Sequence, residues 1–219
     1  MLQPLPLGVL VSGKGSNLQA IIDAISTGKL DAEIRIVLCN VPTARGVERA
    51  RKHGLHTVIL SHRDFQTREA FDTRVVEILR EGGVELVVLA GFNRLLSPVM
   101  MRAFPMRIMN IHPALLPAFP GLHAQRQAVD YGVRIAGATV HFVDENTDHG
   151  PIIIQAAVST GPDDTEETLQ ERILIQEHII YPEAIRLFAE GRLRVEGRRV
   201  VTTGQQAAAD QALLSPAPR

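Results

Sequence analysis

Asn110 and His112 stand two residues apart in the stretch Arg107-Ile-Met-Asn-Ile-His-Pro-Ala-Leu-Leu-Pro117. The stretch opens as a short apolar run and ends at prolines, the pattern of a buried strand running into a loop. In an extended segment a spacing of two puts both side chains on one face. An amide donor and an imidazole therefore leave a strand end side by side, and the carboxyl ends of strands are where open α/β sheets build their sites. Taken alone, such a pair is also the ordinary polar end of a strand before a turn. A third polar group comes from the acidic turn after Val143, where Asp148-His-Gly-Pro151 forces a tight bend that would aim the Asp148 carboxylate inward. A carboxylate beside an imidazole favours the imidazolium, which can donate to a developing oxyanion, and an amide N–H is a second such donor. Cys39 lies on an early strand and Ser97 starts a helix, so neither is set up as a nucleophile. The chemistry suggested is attack on a carbonyl by a nucleophile that the substrate brings itself. A metal reading of His141, Asp144, Asp148 and His149 lacks a strong ligand spacing, and none is expected. His53, His56, His62, His123 and His178 have no evident partner in sequence.

The elements that must position these groups alternate. Leu7–Val11 reads as a first strand, followed by the loop Ser12-Gly-Lys-Gly-Ser16 and a helix from about Asn17 to Gly28. Strands follow at 34–39 and 57–60, separated by a helical stretch that ends at Gly54. A helix of about 67–81 leads to a strand at 85–89, and Ser97-Pro98 starts another helix, with proline at its first position. The segment bearing Asn110 is then the fifth strand. Strands alternating with helices every ~25–30 residues argue for right-handed βαβ units and a doubly wound, mostly parallel sheet. After Gly132 the pattern changes to two strands, 135–143 and 152–158, in a hairpin or an antiparallel extension of the sheet. A long helix begins at about Asp164 or Thr165, with Glu167 as capping-box partner for Asp164, and Pro182 is expected to kink or divide it before Phe188. A terminal hairpin, 193–195 with 199–201, closes the domain. The fold class is thus α/β: a single Rossmann-like domain over residues 1–203, with 204–219 a frayed or disordered tail.

The loop Gly13-Lys-Gly15-Ser-Asn-Leu18 invites a dinucleotide reading that two details weaken. Leu18 stands where a third glycine belongs, and Asn40 where an acidic group would bind the ribose hydroxyls of NAD. Nor is Lys14 in a Walker context. What remains is either a turn whose glycines serve geometry alone, or a helix N-terminus offering N–H groups to one phosphate or carboxylate.

The formal net charge of −1 over 219 residues gives no electrostatic reason to expect a nucleic acid or an anionic membrane as partner. With one cysteine there is no intrachain disulfide and no thiolate zinc cluster. The opening segment lacks a basic n-region and no stretch reaches ~18 apolar residues, so a cytoplasmic location is expected.

In the order in which they occur, Ser12-Gly-Lys-Gly-Ser-Asn-Leu-Gln-Ala20, Val88-Leu-Ala-Gly-Phe-Asn-Arg-Leu-Leu-Ser97, Asn110-Ile-His-Pro-Ala-Leu-Leu-Pro117, Val140-His-Phe-Val143 with Asp148, and Gln176-Glu-His178 resemble the folate-dependent formyltransferases, in particular those acting on phosphoribosylglycinamide. The resemblance runs from about Leu7 to about Val201. It implies transfer of a formyl group from 10-formyltetrahydrofolate, as cosubstrate, to the amine of 5′-phosphoribosylglycinamide in de novo purine synthesis, by direct attack and without an acyl-enzyme. It also implies that Asn110 and His112 stabilise the oxyanion, while Asp148 supports the histidine and organises proton transfer. Gly15, Ser16 and Asn17 would hold the phosphate end and Glu177 the ribose hydroxyls, since a carboxylate accepts two hydrogen bonds. By pattern alone Glu177 is a solvated helix residue. The folate would meet Arg68 and Asn93, Arg94, Leu95 and Leu96, with Asn110, Asp144 and Asp148 at its reactive end and Met101, Ile108 and Val143 as apolar walls. The N-terminal half would carry the phosphate site and the C-terminal half the folate site, with Ala118–His123 as a lid. Small-molecule substrates and a monomer or homodimer are expected. Ala114, Lys14 and His149 depart from the family pattern or fall where it varies. A deformylase using water, another formyltransferase (on methionyl-tRNA or a sugar nucleotide) and a non-catalytic nucleotide-binding module are the competing readings.

Overall fold

The computed structural model of the chain describes residues 3–204 and 215. The expected disorder beyond Gly204 falls almost wholly outside the described residues. Within them, nine strands form one sheet in the order β3-β2-β1-β4-β5-β6-β7-β9-β8. β1 (Leu5–Val11), β2 (Ala32–Cys39), β3 (Thr57–Ile59), β4 (Leu86–Leu89) and β5 (Ile108–His112) are mutually parallel. β6 (Ile135–Phe142) and β7 (Ile152–Ser159) continue the sheet antiparallel to β5 and to each other. β8 (Leu193–Glu196) and β9 (Arg199–Thr202) form the terminal hairpin, joined to β7 by the single parallel pairing of Ile152 with Arg199.

Both faces of the sheet are covered, as the unbroken apolar runs of its central strands require. On one face lie α1 (Ser16–Ser26), α2 (Arg45–Lys52), α5 (Ala124–Tyr131) and α6 (Glu166–Ala189), over a core that includes Val9, Val11, Leu18, Ile21, Met109, Phe142, Ile173 and Tyr181. On the other face lie α3 (Arg68–Glu81) and α4 (Pro98–Ala103), over Leu10, Leu38, Phe71, Val75, Leu79, Met100 and Ile108. The order of the parallel strands reverses between β1 and β4. Their following loops part at that point and leave a crevice, the usual ligand position in such sheets.

Three local expectations are corrected. α6 is unbroken through Pro182. Proline forfeits only the bond to the His178 carbonyl, and the burial of Ile180, Tyr181, Ala184 and Ile185 around it holds the helix on the sheet. The capping box of α6 is Thr165 with Thr168, not Asp164 with Glu167. Asp164 is instead drawn into a two-pronged pair with Arg172, both contacts at 2.8 Å. Finally, α5 occupies a stretch in which no helix was expected.

Candidate active site

One cleft of about 870 Å³ opens at the carboxyl ends of the parallel strands. Of the residues expected to bind or react, Gly15, Ser16, Asn17, Arg68, Asn93, Arg94, Leu95, Leu96, Asn110, His112, Val143, Asp144, Asp148 and Glu177 line it. The two expected halves interleave along the chain: Arg68 and Asn93–Leu96 come from its first half, and Glu177 from α6.

β5 ends at His112, and Asn110 and His112 do share a face of it. Ile108 shares that face too but sits two residues deeper, beneath α3 and α4. It is 1% exposed and part of the core, so it is not a wall of the cleft. Met101 and Val143 do line it.

The His112 ring is fixed at both nitrogens. Nε2 lies 2.8 Å from the carbonyl oxygen of Phe119, and Nδ1 lies 3.3 Å from Oδ2 of Asp148. A carbonyl only accepts, so Nε2 carries the hydrogen in every protonation state. Nδ1 faces the carboxylate. Asp148 reaches this place from a backbone with φ of 50°, in the left-handed region that a non-glycine residue adopts at a cost. The tight turn at Asp148-His-Gly-Pro151 imposes it. Gly150 is needed there, because a Cβ at 150 would overlap the Phe142 carbonyl. Oδ2 of Asp148 also accepts from the Gly121 N–H at 2.8 Å, and Oδ1 lies 3.4 Å from the Asn110 amide nitrogen. The segment 118–123 is thus pinned by His112 at Phe119 and by Asp148 at Gly121.

At the other end of the cleft Gly15 caps α1 from a left-handed backbone with φ of 69°. A Cβ there would press on Gly46 Cα at 2.9 Å, which explains the glycine. The loop leaves the first N–H groups of α1 free of side-chain caps, the arrangement that attracts anions. The Asn17 side chain does not join them. Its amide donates to Glu177 at 2.8 Å, and both residues are 7% exposed. Burial raises the Glu177 pKa above the ordinary carboxylate value, partly offset by the Asn17 hydrogen bond. Gln170 and Leu174 flank Glu177 on the same helix face. Their spacing of four and three residues is a signal that could have been read from the sequence.

Between these ends the segment after β4 is held by a buried network. Ser12 Oγ donates to Asn40 Oδ1 at 2.6 Å and accepts from the Asn93 N–H at 2.9 Å, and the Asn40 amide contacts His62 at 3.3 Å. Asn40 is thereby committed to the protein. Asp72, 1% exposed, accepts from the Ser97 N–H at 2.5 Å and fixes the start of α4. The Arg94 guanidinium sits 5.2 Å from the Phe71 ring centre, and Arg68 stands half-exposed at the mouth. Asp144 pairs with His149 at 2.8 Å, and Arg198 donates to the His149 carbonyl, so that departure from the family pattern lies outside the cleft. Ala114 is buried, and its carbonyl accepts from Thr139.

In sequence His141 figures only as a candidate metal ligand and as part of the Val140–Val143 motif, with no place beside Asn110. It is 1% exposed, stands opposite Asn110 in the β5–β6 ladder, and places Nε2 3.2 Å from the Asn110 amide nitrogen. Among the described residues no cluster of three or more His, Cys, Asp or Glu is placed to hold a metal ion, and no helix is long and apolar enough to cross a membrane.

A doubly wound sheet with an Asn-x-His strand end and an aspartate brought over it is the build of a formyl-transferring domain, and the formyl transferase family model matches residues 7–185: the chain belongs to that family. Its relatives narrow the class. It is 44% identical to phosphoribosylglycinamide formyltransferase of Escherichia coli (strain K12) over 198 residues, covering 90% of this chain and 93% of that one. It is 50% identical to the trifunctional purine biosynthetic protein adenosine-3 of Drosophila pseudoobscura pseudoobscura over 190 residues, which are 86% of this chain but only 14% of that protein. Among solved structures it superposes on glycinamide ribonucleotide transformylase 1 of Symbiobacterium toebii with a TM-score of 0.91 and 52% identity, covering 92% and 95% of the two chains.

Proposed function

We propose that this protein transfers a formyl group from 10-formyltetrahydrofolate to the amine of 5′-phosphoribosylglycinamide, a step of purine biosynthesis. One observation carries the reading: a single cleft has an anion-accepting helix start and a buried carboxylate at one end, and Asn110, His112 and Asp148 at the other. The named relatives support the same substrate.

The cleft fits the formyl donor by its chemistry. Leu95, Leu96, Met101 and Val143 are apolar walls for a ring system, and Arg68 at the mouth suits an acidic tail. The donor would supply the electrophilic carbonyl carbon. Ser16 and Asn17 would offer backbone N–H groups to the phosphate, and Glu177 would accept from the ribose diol. The side-chain amide of Asn17, turned to Glu177, would set that carboxylate in place. At the reacting end Asn110 donates an amide N–H, and His112, as imidazolium, offers its positive charge and an Nδ1–H shared with Asp148 to the carbonyl oxygen as charge develops. Asp148 pairs with the imidazolium and is placed to receive, through water, the proton that the attacking amine sheds. Cys39 and Ser97 are fully buried, and no protein nucleophile is needed when the amine attacks directly.

The test is release of tetrahydrofolate from 10-formyltetrahydrofolate with and without phosphoribosylglycinamide. Release only with the amine, with formylated ribonucleotide appearing in step, is expected. Equal release without it would mean a hydrolase using water. No release in either case would refute catalysis of this transfer.

A further inference from the structure

His141 takes no part in the chemistry just described, yet it is buried against one of the groups that does. Its Nδ1 lies 2.8 Å from the carbonyl oxygen of Phe142 and its Nε2 lies 3.2 Å from Nδ2 of Asn110, with Asp148 Oδ1 3.8 Å from the same Nε2. The Phe142 carbonyl can only accept, so the hydrogen of a neutral ring sits on Nδ1 and Nε2 presents a lone pair. That lone pair decides which way the Asn110 carboxamide faces. With Nδ2 toward the histidine, the amide donates one hydrogen to Nε2 and points the other into the cleft, where Asp148 Oδ1 at 3.4 Å is a weak acceptor that a substrate carbonyl oxygen can replace. Rotated by half a turn, its oxygen would meet both the Nε2 lone pair and the Asp148 carboxylate, two repulsive contacts in a partly buried site.

We infer that His141 is a positioning residue, a neutral Nδ1–H imidazole that locks the Asn110 carboxamide with its N–H toward the reacting carbonyl. A protonated His141 would do the reverse, donating from Nε2 and drawing the Asn110 oxygen to itself. The site guards against that. Burial lowers the His141 pKa, and nearby His112 lowers it further, against the raising influence of the Phe142 hydrogen bond and of Asp148 and Asp144. Two backbone features hold the ring in place. The register of β6 against β7 shifts between Val140 and His141, a local irregularity of the kind that re-aims a side chain. Gly150, by lacking a Cβ, leaves room for the Phe142 carbonyl.

The inference rests on the proposed reaction for its kinetic arm only. In the full chain, imidazole ¹⁵N–¹H spectra should find His141 as the Nδ1–H tautomer and neutral across the pH range in which the exposed histidines titrate. An Nε2–H tautomer, or a ring that charges with them, would overturn the proposal whatever the enzyme does. His141→Leu should lower kcat by about 10- to 100-fold, the cost of misplacing one oxyanion donor, with both KM values within about threefold. In an Asn110→Ala background the same change should cost nothing more, because neighbours acting as a unit are non-additive. His141→Gln, whose side-chain oxygen can accept from Asn110, should recover most of the loss and leave the pH profile of kcat unmoved. An undiminished kcat in His141→Leu, a full further loss in the Asn110→Ala background, or a shifted pH profile in His141→Gln would refute the role. Absence of formyl transfer by the wild-type protein would refute the proposed function and leave the spectroscopic arm to decide this one.

Discussion

The amide of Asn17 donates to a carboxylate oxygen of Glu177 at 2.8 Å, tying the first turn of α1 to the middle of α6 across 160 positions of sequence. That hydrogen bond lies in a buried part of the cleft and leaves the other carboxylate oxygen for a ligand. Burial raises the Glu177 pKa, so between the unfolded-state value near 4.5 and the raised native value the folded chain holds more protons than the unfolded one. Stability therefore falls as pH rises through that window. Glu177→Gln removes the titration. The variant should melt higher than wild type at neutral pH, with the difference fading as pH drops below about 4.5. It should also bind the ribonucleotide about 10- to 100-fold more weakly, the worth of a hydrogen bond to a charged group, with folate binding little changed. Thermal melts against pH and calorimetric titration with each ligand separately measure both effects. An equal loss for both ligands would argue against a ribose contact.

Asp148→Asn keeps the side-chain shape and removes the charge that faces His112. Turnover should fall by at least about 100-fold, in the range of a lost acid–base partner, while circular dichroism and ligand binding stay near wild type. Turnover within a few-fold of wild type would remove the role proposed for this carboxylate.

Tyr181, 0% exposed, places its hydroxyl 3.0 Å from the carbonyls of both Leu89 and Met109, on adjacent strands β4 and β5. One hydrogen serves two acceptors. Tyr181→Phe should cost about 1 kcal/mol of stability, the net worth of a buried hydrogen bond, read as a lower urea midpoint at unchanged slope.

A methyl group at position 150 would overlap the Phe142 carbonyl and press on the Asp144 amide at 3.2 Å. Gly150→Ala should cost about 1–3 kcal/mol, as overpacking does. It should also lower activity by more than that loss of stability accounts for, because the displaced carbonyl is the one that orients His141. Chemical denaturation and kcat measured on the folded fraction separate the two.

Period and punctuation carried much of the architecture. Apolar runs closed by glycine or proline placed the parallel strands, and the spacing of two placed Asn110 beside His112. α5 escaped because neither signal exists for it. Its buried residues are the small Ala124 and Ala128, and it starts from His123 in a left-handed conformation with no side-chain cap. The pairing of His141 with Asn110 escaped for a different reason. The two stand 31 positions apart, and only the register of β5 against β6 pairs them, which local sequence does not encode. By pattern alone Glu177 read as a solvated helix residue, because an isolated charge on a helix carries no sign of the asparagine that will face it, and only the family resemblance placed it in the cleft.

The two ways in which the cleft is assembled tolerate changes of chain length differently. Asn110, His112 and His141 belong to paired strands, in which one inserted residue would turn every later side chain to the opposite face. The lengths of β5 and β6 are therefore fixed by the proposed site as well as by the core. The segment 118–123 contributes two backbone groups to His112 and Asp148, the Phe119 carbonyl and the Gly121 N–H, two residues apart. Any loop that returns those two groups would serve. Descendants of this chain can lengthen or rewrite the surface around Leu122, 73% exposed, while residues 108–112 and 139–142 keep their count.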